Sequence, residues 1–381
     1  MSKVPKLRFK EFNEKWGTNF IGDVFEITAG GDIDLNHVSQ TKDEKFKYPI
    51  YANAEKDKGF YGYSDLFKIQ AGAITVAGRG VNMGIAHARD HEFYPIVRLL
   101  VLLPKKETNI LFFEYGINRL NLFVESTGVP QLTVPQISKY KIVFPSLPEQ
   151  QKIASFLSAV DEKIQQFTRK KEWLEQYKKG VMQQLFSGKL RFKDPNGKPY
   201  PKWEEKKLGE VCEINPSTKE VPEAFIYIDL ESVSKGQLVQ ENRITKDEAP
   251  SRAQRTLQPN DILYQTVRPY QMNNYLFDKK GDYVASTGYA QIRTNQETRY
   301  IYQLLHSEDF VNEVMERCTG TSFPAINSKD LGKIKVPVPH KEEQQKIARF
   351  LTALDAKIES VATQIAHTQT FKKGLLQQMF V

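Results

Sequence analysis

The sequence predicts an α+β chain made twice, as two pseudo-two-fold-related β-rich domains separated by an antiparallel coiled coil of two long helices. Three observations predict it. Residues 149–186 return as residues 343–380 at a constant offset of 194, with 18 of 38 positions identical. Both copies place apolar residues at alternating steps of three and four. Shorter echoes flank each copy, so the order is globular half, helix, globular half, helix, and a repeat of this kind decides the architecture.

The first copy carries Ile153, Leu157, Val160, Ile164, Phe167, Leu174, Val181 and Leu185, with Lys171 and Lys178 in the two remaining places. The second carries Ile347, Leu351, Leu354, Ile358, Val361, Ile365, Leu375 and Met379, interrupted by Thr368 and Lys372. A sustained period of 3.5 residues is a coiled-coil seam rather than the broad face of a globular helix. Ser146-Leu147-Pro148-Glu149 has the form of a capping box with proline in the first turn. At 1.5 Å per residue each helix is roughly 57 Å long. The other copy is the obvious partner for each seam. The alternatives are that each stripe packs on its own neighbouring domain or mediates dimerisation.

The frame around the helices repeats as well. Lys6-Leu7-Arg8-Phe9, Trp16 and the stretch 21–27 reappear as Lys189-Leu190-Arg191-Phe192, Trp203 and 208–214. Before the helices, Thr127-Gly128 and 141–145 match Thr319-Gly320 and 333–337. The expected domains are 1–145, a central helix 146–188, 189–338, and a C-terminal helix 339–381. The chain reads as a circle cut just after Phe380, because the second helix lacks the KLRF exit that stands instead at residues 6–9. Between these borders the halves diverge into Tyr-, Phe-, Val- and Ile-rich stretches with Gly, Asn and Asp turns. Short strands are expected at 73–76, 96–103, 262–265, 283–285 and 290–293. One helical stretch is expected in each half, at 110–123 and 298–316.

Composition narrows the function classes. The 381 residues are 40% hydrophobic and 26% charged, with a net charge of +8, which fits a soluble chain with a polyanionic partner. Two cysteines give no disulfide framework, nothing resembles a signal peptide, and the longest apolar run, 94–104, is broken by Arg98. A cytoplasmic protein without a membrane span is expected. Phosphate-loop and adenine-methyltransferase strings are absent, and Gly78, Gly80 and Gly84 have the wrong spacing for a dinucleotide fingerprint. His87 and His91 stand four apart, but in a context of strand and turn, so no metal site is expected. Cys212 and Cys318 read as small core residues. Ser126-Thr127-Gly128 and Ser286-Thr287-Gly288 read as a helix-terminating loop and a turn. No catalytic residues are expected.

What survives is recognition. The first half offers Tyr51, Asn53, Lys58, Arg79 and Asn82 in two glycine-containing loops, and the second offers Gln265, Arg268, Tyr270, Gln271, Asn273 and Asn274. Arg matched to guanine, and Asn or Gln to adenine, are the bidentate pairs of the major groove, while neighbouring cations hold phosphates. Ordinary polar turns are the alternative for any one of them. The basic run 189–207 connects a helix to the next module, either near a phosphate backbone or as a solvated linker.

With the VFPSLPEQQKIASFL and VPVPHKEEQQKIARFL segments, the KKGVMQQLFSGKLRF exit and the two-module order, the sequence resembles the specificity subunits of type I restriction–modification enzymes over its whole length. His340-Lys341 departs from the shorter approach of the first copy. The resemblance implies a non-catalytic protein with two target-recognition domains, each reading one half of a bipartite asymmetric site in double-stranded DNA. It implies that the helical pair sets the spacer and docks two modification (adenine-N6 methyltransferase) subunits, with restriction motor–nuclease subunits joining for phage defence. No cofactor is then expected on this chain, and S-adenosylmethionine, ATP and Mg belong to the partner subunits. The competing readings are a structural coiled-coil protein with protein-binding ends, and a stand-alone methyltransferase or nuclease, which the missing cofactor motifs oppose.

Overall fold

The computed structural model describes residues 4–381 except 55, 121, 123–130 and 218–219. The chain divides into two compact units, Met1–Phe167 with Gln364–Val381, and Thr168–Thr363. Each long helix gives one half to each unit.

In the first unit β1 (Gly17–Phe20), α1 (Ile21–Val24) and β2 (Phe25–Ala29) lead into β3 (Val38–Ser39), β4 (Tyr48–Tyr51) and β5 (Phe60–Ser64). Then come β6 (Ala73–Val76), β7 (Ala86–Arg89), β8 (Tyr94–Pro95), β9 (Leu100–Pro104), α2 (Ile110–Ile117), α3 (Val134–Ser138), β10 (Lys141–Phe144) and the long helix α4 (Leu147–Phe186). Two four-stranded sheets have the orders β2-β9-β6-β7 and β3-β5-β4-β8, with β4 and β8 parallel. All four residues of β6 are buried, and its β-branched Ile74 and Val76 lie opposite Leu102 and Leu100.

The second unit runs β11 (Glu204–Lys207), α5 (Leu208–Val211), β12 (Cys212–Ile214), β13 (Ala224–Ile228), β14 (Val233–Ser234), β15 (Gln237–Leu238), β16 (Asn242–Thr245) and β17 (Ala253–Thr256). It continues through β18 (Ile262–Gln265), β19 (Tyr275–Leu276), β20 (Tyr283–Ser286), β21 (Tyr289–Thr294), α6 (Thr298–Leu304), α7 (Glu308–Glu316), α8 (Ser328–Gly332), β22 (Lys335–Val338) and α9 (Lys341–Met379). Its sheets are β12-β21-β18-β19 and β16-β13-β20-β17, with β13 and β20 parallel. The first has the connectivity of β2-β9-β6-β7, and β16-β13-β20 has that of β5-β4-β8. Interiors without matching sequence therefore share one whole sheet and three strands of the other, the fourth strand joining opposite edges in the two units.

The repeated motifs are the joints of this frame. Glu149, buried at the start of α4, accepts from Arg8 Nε and Nη2, both at 2.8 Å, and from Trp16 Nε1 at 3.3 Å. Glu343 does the same for Arg191, at 2.8 and 2.7 Å, and for Trp203 at 2.8 Å. The next residue repeats too: Gln150 donates to the Pro145 carbonyl and accepts from the Asn109 amide, as Gln344 does with Pro339 and Glu297. Glu149 therefore serves Arg8 and Trp16, not the backbone of a capping box. The Leu7 amide bonds the Gln378 carbonyl and the Leu190 amide bonds that of Gln184, each at 2.9 Å, so KLRF follows both helix ends alike.

Burial along both helices follows the seam. Ile153 and Leu157 are buried with Leu375, Met379 and Phe380 in the core of the first unit, and Val160 packs against that core. Ile347, Leu351 and Leu354 are buried with Val181, Leu185 and Phe186 in the core of the second. Ile164 and Ile358 are half-buried, as are Lys171, Lys178 and Lys372 at their seam places. Within each unit the two helix halves run antiparallel, fastened by Lys372 to Asp161 in the first and by Lys178 to Asp355 in the second, each at 2.5 Å. Both expected partners of the stripe are thus used, the other helix and the adjoining domain.

Local expectations shift in three places. The stretch expected at 96–103 becomes a strand only from Leu100, because Val97 and Arg98 adopt φ of 53° and 57°. The single helix expected at 298–316 is two, since Ser307 is extended and caps α7 through its hydroxyl, which accepts from the Phe310 amide. The helix expected at 110–123 ends at Ile117; Phe123 and the loop Ser126-Thr127-Gly128 lie outside the described residues. Cys212 is buried and Cys318 packs half-buried against the same core. The basic run is not a free linker: Arg191 holds Glu343, and Tyr200 stacks on His340 with ring centres 5.6 Å apart.

Candidate nucleic-acid interface

The loop 77–85 joins β6 to β7, and the loop 266–274 joins β18 to β19. These are the same hairpin in equivalent sheets, and they are anchored alike. The Gly78 carbonyl accepts from the Leu132 amide at 2.8 Å, and the Thr266 carbonyl accepts from the Ile326 amide at 3.0 Å. A bridge follows in each case, Arg79 with Gln131 and Val267 with Ala325. Directly beyond the anchors stand the capping residues of α3 and α8, Thr133 and Asn327.

In the first unit the structure separates presented side chains from supporting ones. Arg79 and Lys58 are exposed, Asn82 is half-buried, and Val81 at the loop tip is 97% exposed. Asn53 is a clamp: its Nδ2 donates to the Val97 carbonyl at 2.5 Å and its Oδ1 accepts from the Gly78 amide at 2.8 Å. Tyr51 is buried, its hydroxyl 2.9 Å from His91 Nε2 and its ring 3.5 Å from the Arg89 guanidinium. His91 thus turns to Tyr51, whereas His87 faces Glu114.

The second unit shows the same division. Arg268 and Met272, at φ of 54° and 48°, bracket a single turn at Pro269–Gln271 that lifts Tyr270 to 49% exposure. The Arg268 guanidinium lies 4.3 Å from the ring centre of Phe323, itself 61% exposed. Gln271 is exposed and accepts from Gln265 Nε2 at 2.9 Å. Gln265 and Asn274 are buried and Asn273 donates to the Val233 carbonyl, so these three hold the loop. The Gln265 amide donates to Asn274 Oδ1 at 2.8 Å, and Asn274 Nδ2 lies 3.3 Å from His306 Nε2. His306 Nδ1 is 2.7 Å from the Tyr302 carbonyl, which makes Nδ1 the donor and Nε2 the acceptor. Burial pushes the His306 pKa below its ordinary value, against the upward pull of that carbonyl.

Sequence reasoning missed Arg98, Phe323, Arg89 and His306. Arg98 is exposed and its carbonyl lies close beside Gly78, so it joins the Arg79 loop through space alone. An exposed Phe beside Pro324 in the Gly-Thr-Ser loop was the available signal for Phe323. The presented set is therefore Lys58, Arg79, Asn82 and Arg98 in one unit, and Arg268, Tyr270, Gln271 and Phe323 in the other. Cationic forks, amides and aromatic faces suit nucleic-acid contact. Among the described residues no helix is long and apolar enough to cross a membrane.

Comparison with known proteins gives the family. The family model of the type I restriction modification DNA specificity domain matches residues 13–176 and again residues 200–367. The chain is 36% identical over 132 residues to a putative type I specificity subunit of Mycoplasma pneumoniae, covering 35% of this chain and 36% of that protein. It is 26% identical over 295 residues to the type I restriction enzyme MjaVIII specificity subunit of Methanocaldococcus jannaschii, covering 70% and 68%. The chain spans 36% and 45% of the length of the two Mycoplasma pneumoniae relatives that match it over 132 and 152 residues. In fold it is similar to the S subunit of a type I restriction–modification system from M. genitalium, at 18% identity and a TM-score of 0.66 over 99% of both chains. With both halves matched by one family model, the chain belongs to the type I restriction–modification DNA specificity family.

Proposed function

We propose that this chain is the non-catalytic DNA sequence-specificity subunit of a type I restriction–modification complex, working in the cytoplasm. Each unit reads one half of a bipartite asymmetric target. The helical pair sets the unread spacer and docks two modification (adenine methyltransferase) subunits, with restriction motor–nuclease subunits as further partners. S-adenosylmethionine, ATP and Mg are held by those partners and not by this chain.

The observation that carries this reading is the one hairpin built twice with different side chains. Topologically equivalent loops, pinned by equivalent backbone bonds, offer Arg79 and Asn82 in one unit and Arg268 and Gln271 in the other. One scaffold with two dissimilar reading edges suits an asymmetric site, since base edges are told apart by the donors and acceptors presented to them. A protein-binding strut has no need of paired cationic loops.

Co-expression with the modification subunit of the same system, followed by genome-wide mapping of N6-methyladenine, tests the reading. Methylation at one split motif that disappears when this chain is deleted is expected. An unchanged methylation map sinks the proposal. Purified complex whose DNA affinity does not fall as salt rises supports the protein-binding strut instead.

A further inference from the structure

The loops of the first unit enclose a cavity of about 130 Å³. Its floor is the face of β6 and β7 that carries Thr75, His87 and Arg89. The methyl groups of Ala52, Ala54 and Ala77 form its walls. Lys58, which like Asp57 takes left-handed backbone, also lines it. Gly59 follows at positive φ, where a Cβ would stand 2.5 Å from the Ala52 carbonyl.

Arg89 is 3% exposed, and among the described residues no carboxylate stands within ion-pair distance of it. Its Nε donates to Thr75 Oγ1 at 3.0 Å and its Nη2 to the Lys58 carbonyl at 2.6 Å. Burying a guanidinium with no carboxylate in contact is costly, and the Tyr51 ring beneath it and the nearby Glu114 charge offset only part of that cost. His87 lines the same cavity, and its Nδ1 is buried without a hydrogen-bond partner, the Glu114 carboxylate standing 3.8 Å away. The corresponding hairpin of the second unit instead closes on Gln265, Asn274 and His306, which bond one another. The cavity is therefore not a requirement of the shared scaffold.

Ala52, Ala54, Ala77, Ile85 and Leu99 make most of the lining apolar, which suits a planar ring held by its edge on the polar floor, with Lys58 and Asn82 also in the lining. The volume, room for about four waters, fits a single ring. Donors dominate the floor, which favours carbonyl oxygens over the exocyclic amine of cytosine. We propose that the cavity receives an unpaired, carbonyl-bearing pyrimidine, a thymine turned out of the duplex in the half-site read by this unit. One carbonyl accepts from Arg89, and the ring lies against His87, which lines the same cavity. Extruding a base costs a few kcal/mol, and a fitted pocket is what returns it. This inference rests on the DNA-reading function proposed above.

The test uses the complex of this chain with its modification subunit, on duplexes carrying the mapped motif. Each thymine in turn is replaced by photoreactive 5-iodouracil, which cross-links only to groups in contact with it. We expect one position to cross-link to His87. Ala54→Phe, on the exposed rim, should reduce that cross-link at least tenfold by filling the mouth while leaving Arg89 and His87 in place. If A54F does not assemble, Arg89→Lys, which keeps the charge and loses the fork, should reduce the same cross-link. Cross-links that map elsewhere, or a His87 cross-link that survives both variants, overturn the pocket while DNA reading stands. A wild-type complex that neither binds nor methylates a split site overturns both.

Discussion

The loop 266–274 depends on the protonation state of His306. Its Nε2 accepts from Asn274, which holds Gln265 at the root of the loop, and protonation removes that acceptor. The pKa in the folded chain is lowered, chiefly by burial, with Lys178 pressing it down and Asp355 drawing it up. The unfolded chain therefore takes up the proton first. The stabilisation is complete above the ordinary histidine value of about 6.5 and is lost as pH falls below it. Calorimetric melting between pH 7.5 and 5.5 should show the wild type losing more stability on acidification than His306→Asn; equal slopes would rule the link out. Glu149 is a different kind of residue, a buried carboxylate with a fixed task. Its side chain is 1% exposed and that of Arg8 10%. Glu149→Ala removes the carboxylate that Arg8 Nε and the Trp16 N–H bond, leaving the guanidinium only the Glu14 carbonyl, and should cost about 3 kcal/mol in urea denaturation. Glu175→Ala, which breaks the exposed pair with Lys171, should cost about 0–1 kcal/mol. Equal losses would mean that the repeated glutamate is not a joint.

At the scale of elements, the helix halves of each unit are fastened by one pair used twice. Asp161 takes Lys372 at 2.5 Å and the Tyr115 hydroxyl at 2.7 Å, while Asp355 takes Lys178 at 2.5 Å and Gln303 at 2.6 Å. Burial, aided by the Asp161 carboxylate, raises the Tyr115 pKa far above its ordinary value, so the hydroxyl remains the donor. A double-mutant cycle with Asp161→Asn and Lys372→Met should give a coupling of about 1 kcal/mol, the partial exposure of both groups keeping it small. Additive effects would show that the seam alone sets the pairing. These elements also show where the sequence was legible. The heptads appear in the burial pattern residue by residue, including Lys171 and Lys178, because period and burial are one geometric fact. Strands 73–76 and 262–265 fall at their expected bounds, being mostly apolar and rich in β-branched or aromatic residues. The common topology of the two interiors was hidden, because it is fixed by pairing between distant strands that no local pattern records. The candidate loops form equivalent hairpins, but Tyr51, Asn53, Gln265, Asn273 and Asn274 serve as supports. A polar residue that satisfies a buried backbone amide looks, in one dimension, like one that faces a ligand.

At the scale of the whole molecule, the ruler reading makes a geometric prediction. Seven residues restore a 3.5-period seam after two turns, so a heptad inserted within 165–177 and another within 359–371 keep every apolar residue on its face. The end motifs that join Glu149 to Arg8 and Glu343 to Arg191 lie outside the insertions and are untouched. Each insertion lengthens its helix by about 10.5 Å. At about 3.4 Å per base pair this corresponds to at most about three base pairs, the limit reached only if the helices run along the DNA axis. The expected result is a methylated motif with both half-sites unchanged and a spacer about one to three base pairs longer. Five-residue insertions make the control, since about 500° of helical rotation leaves the seam some 140° out of register. They should abolish methylation while leaving the folded cores of the units, which are built from helix ends, largely intact by circular dichroism. Replacing residues 17–140 by the equivalent segment of a relative completes the set, and should change one half-site only. A heptad insertion that alters either half-site, or leaves the spacer as it was, refutes the ruler and would assign the spacer to the reading units themselves.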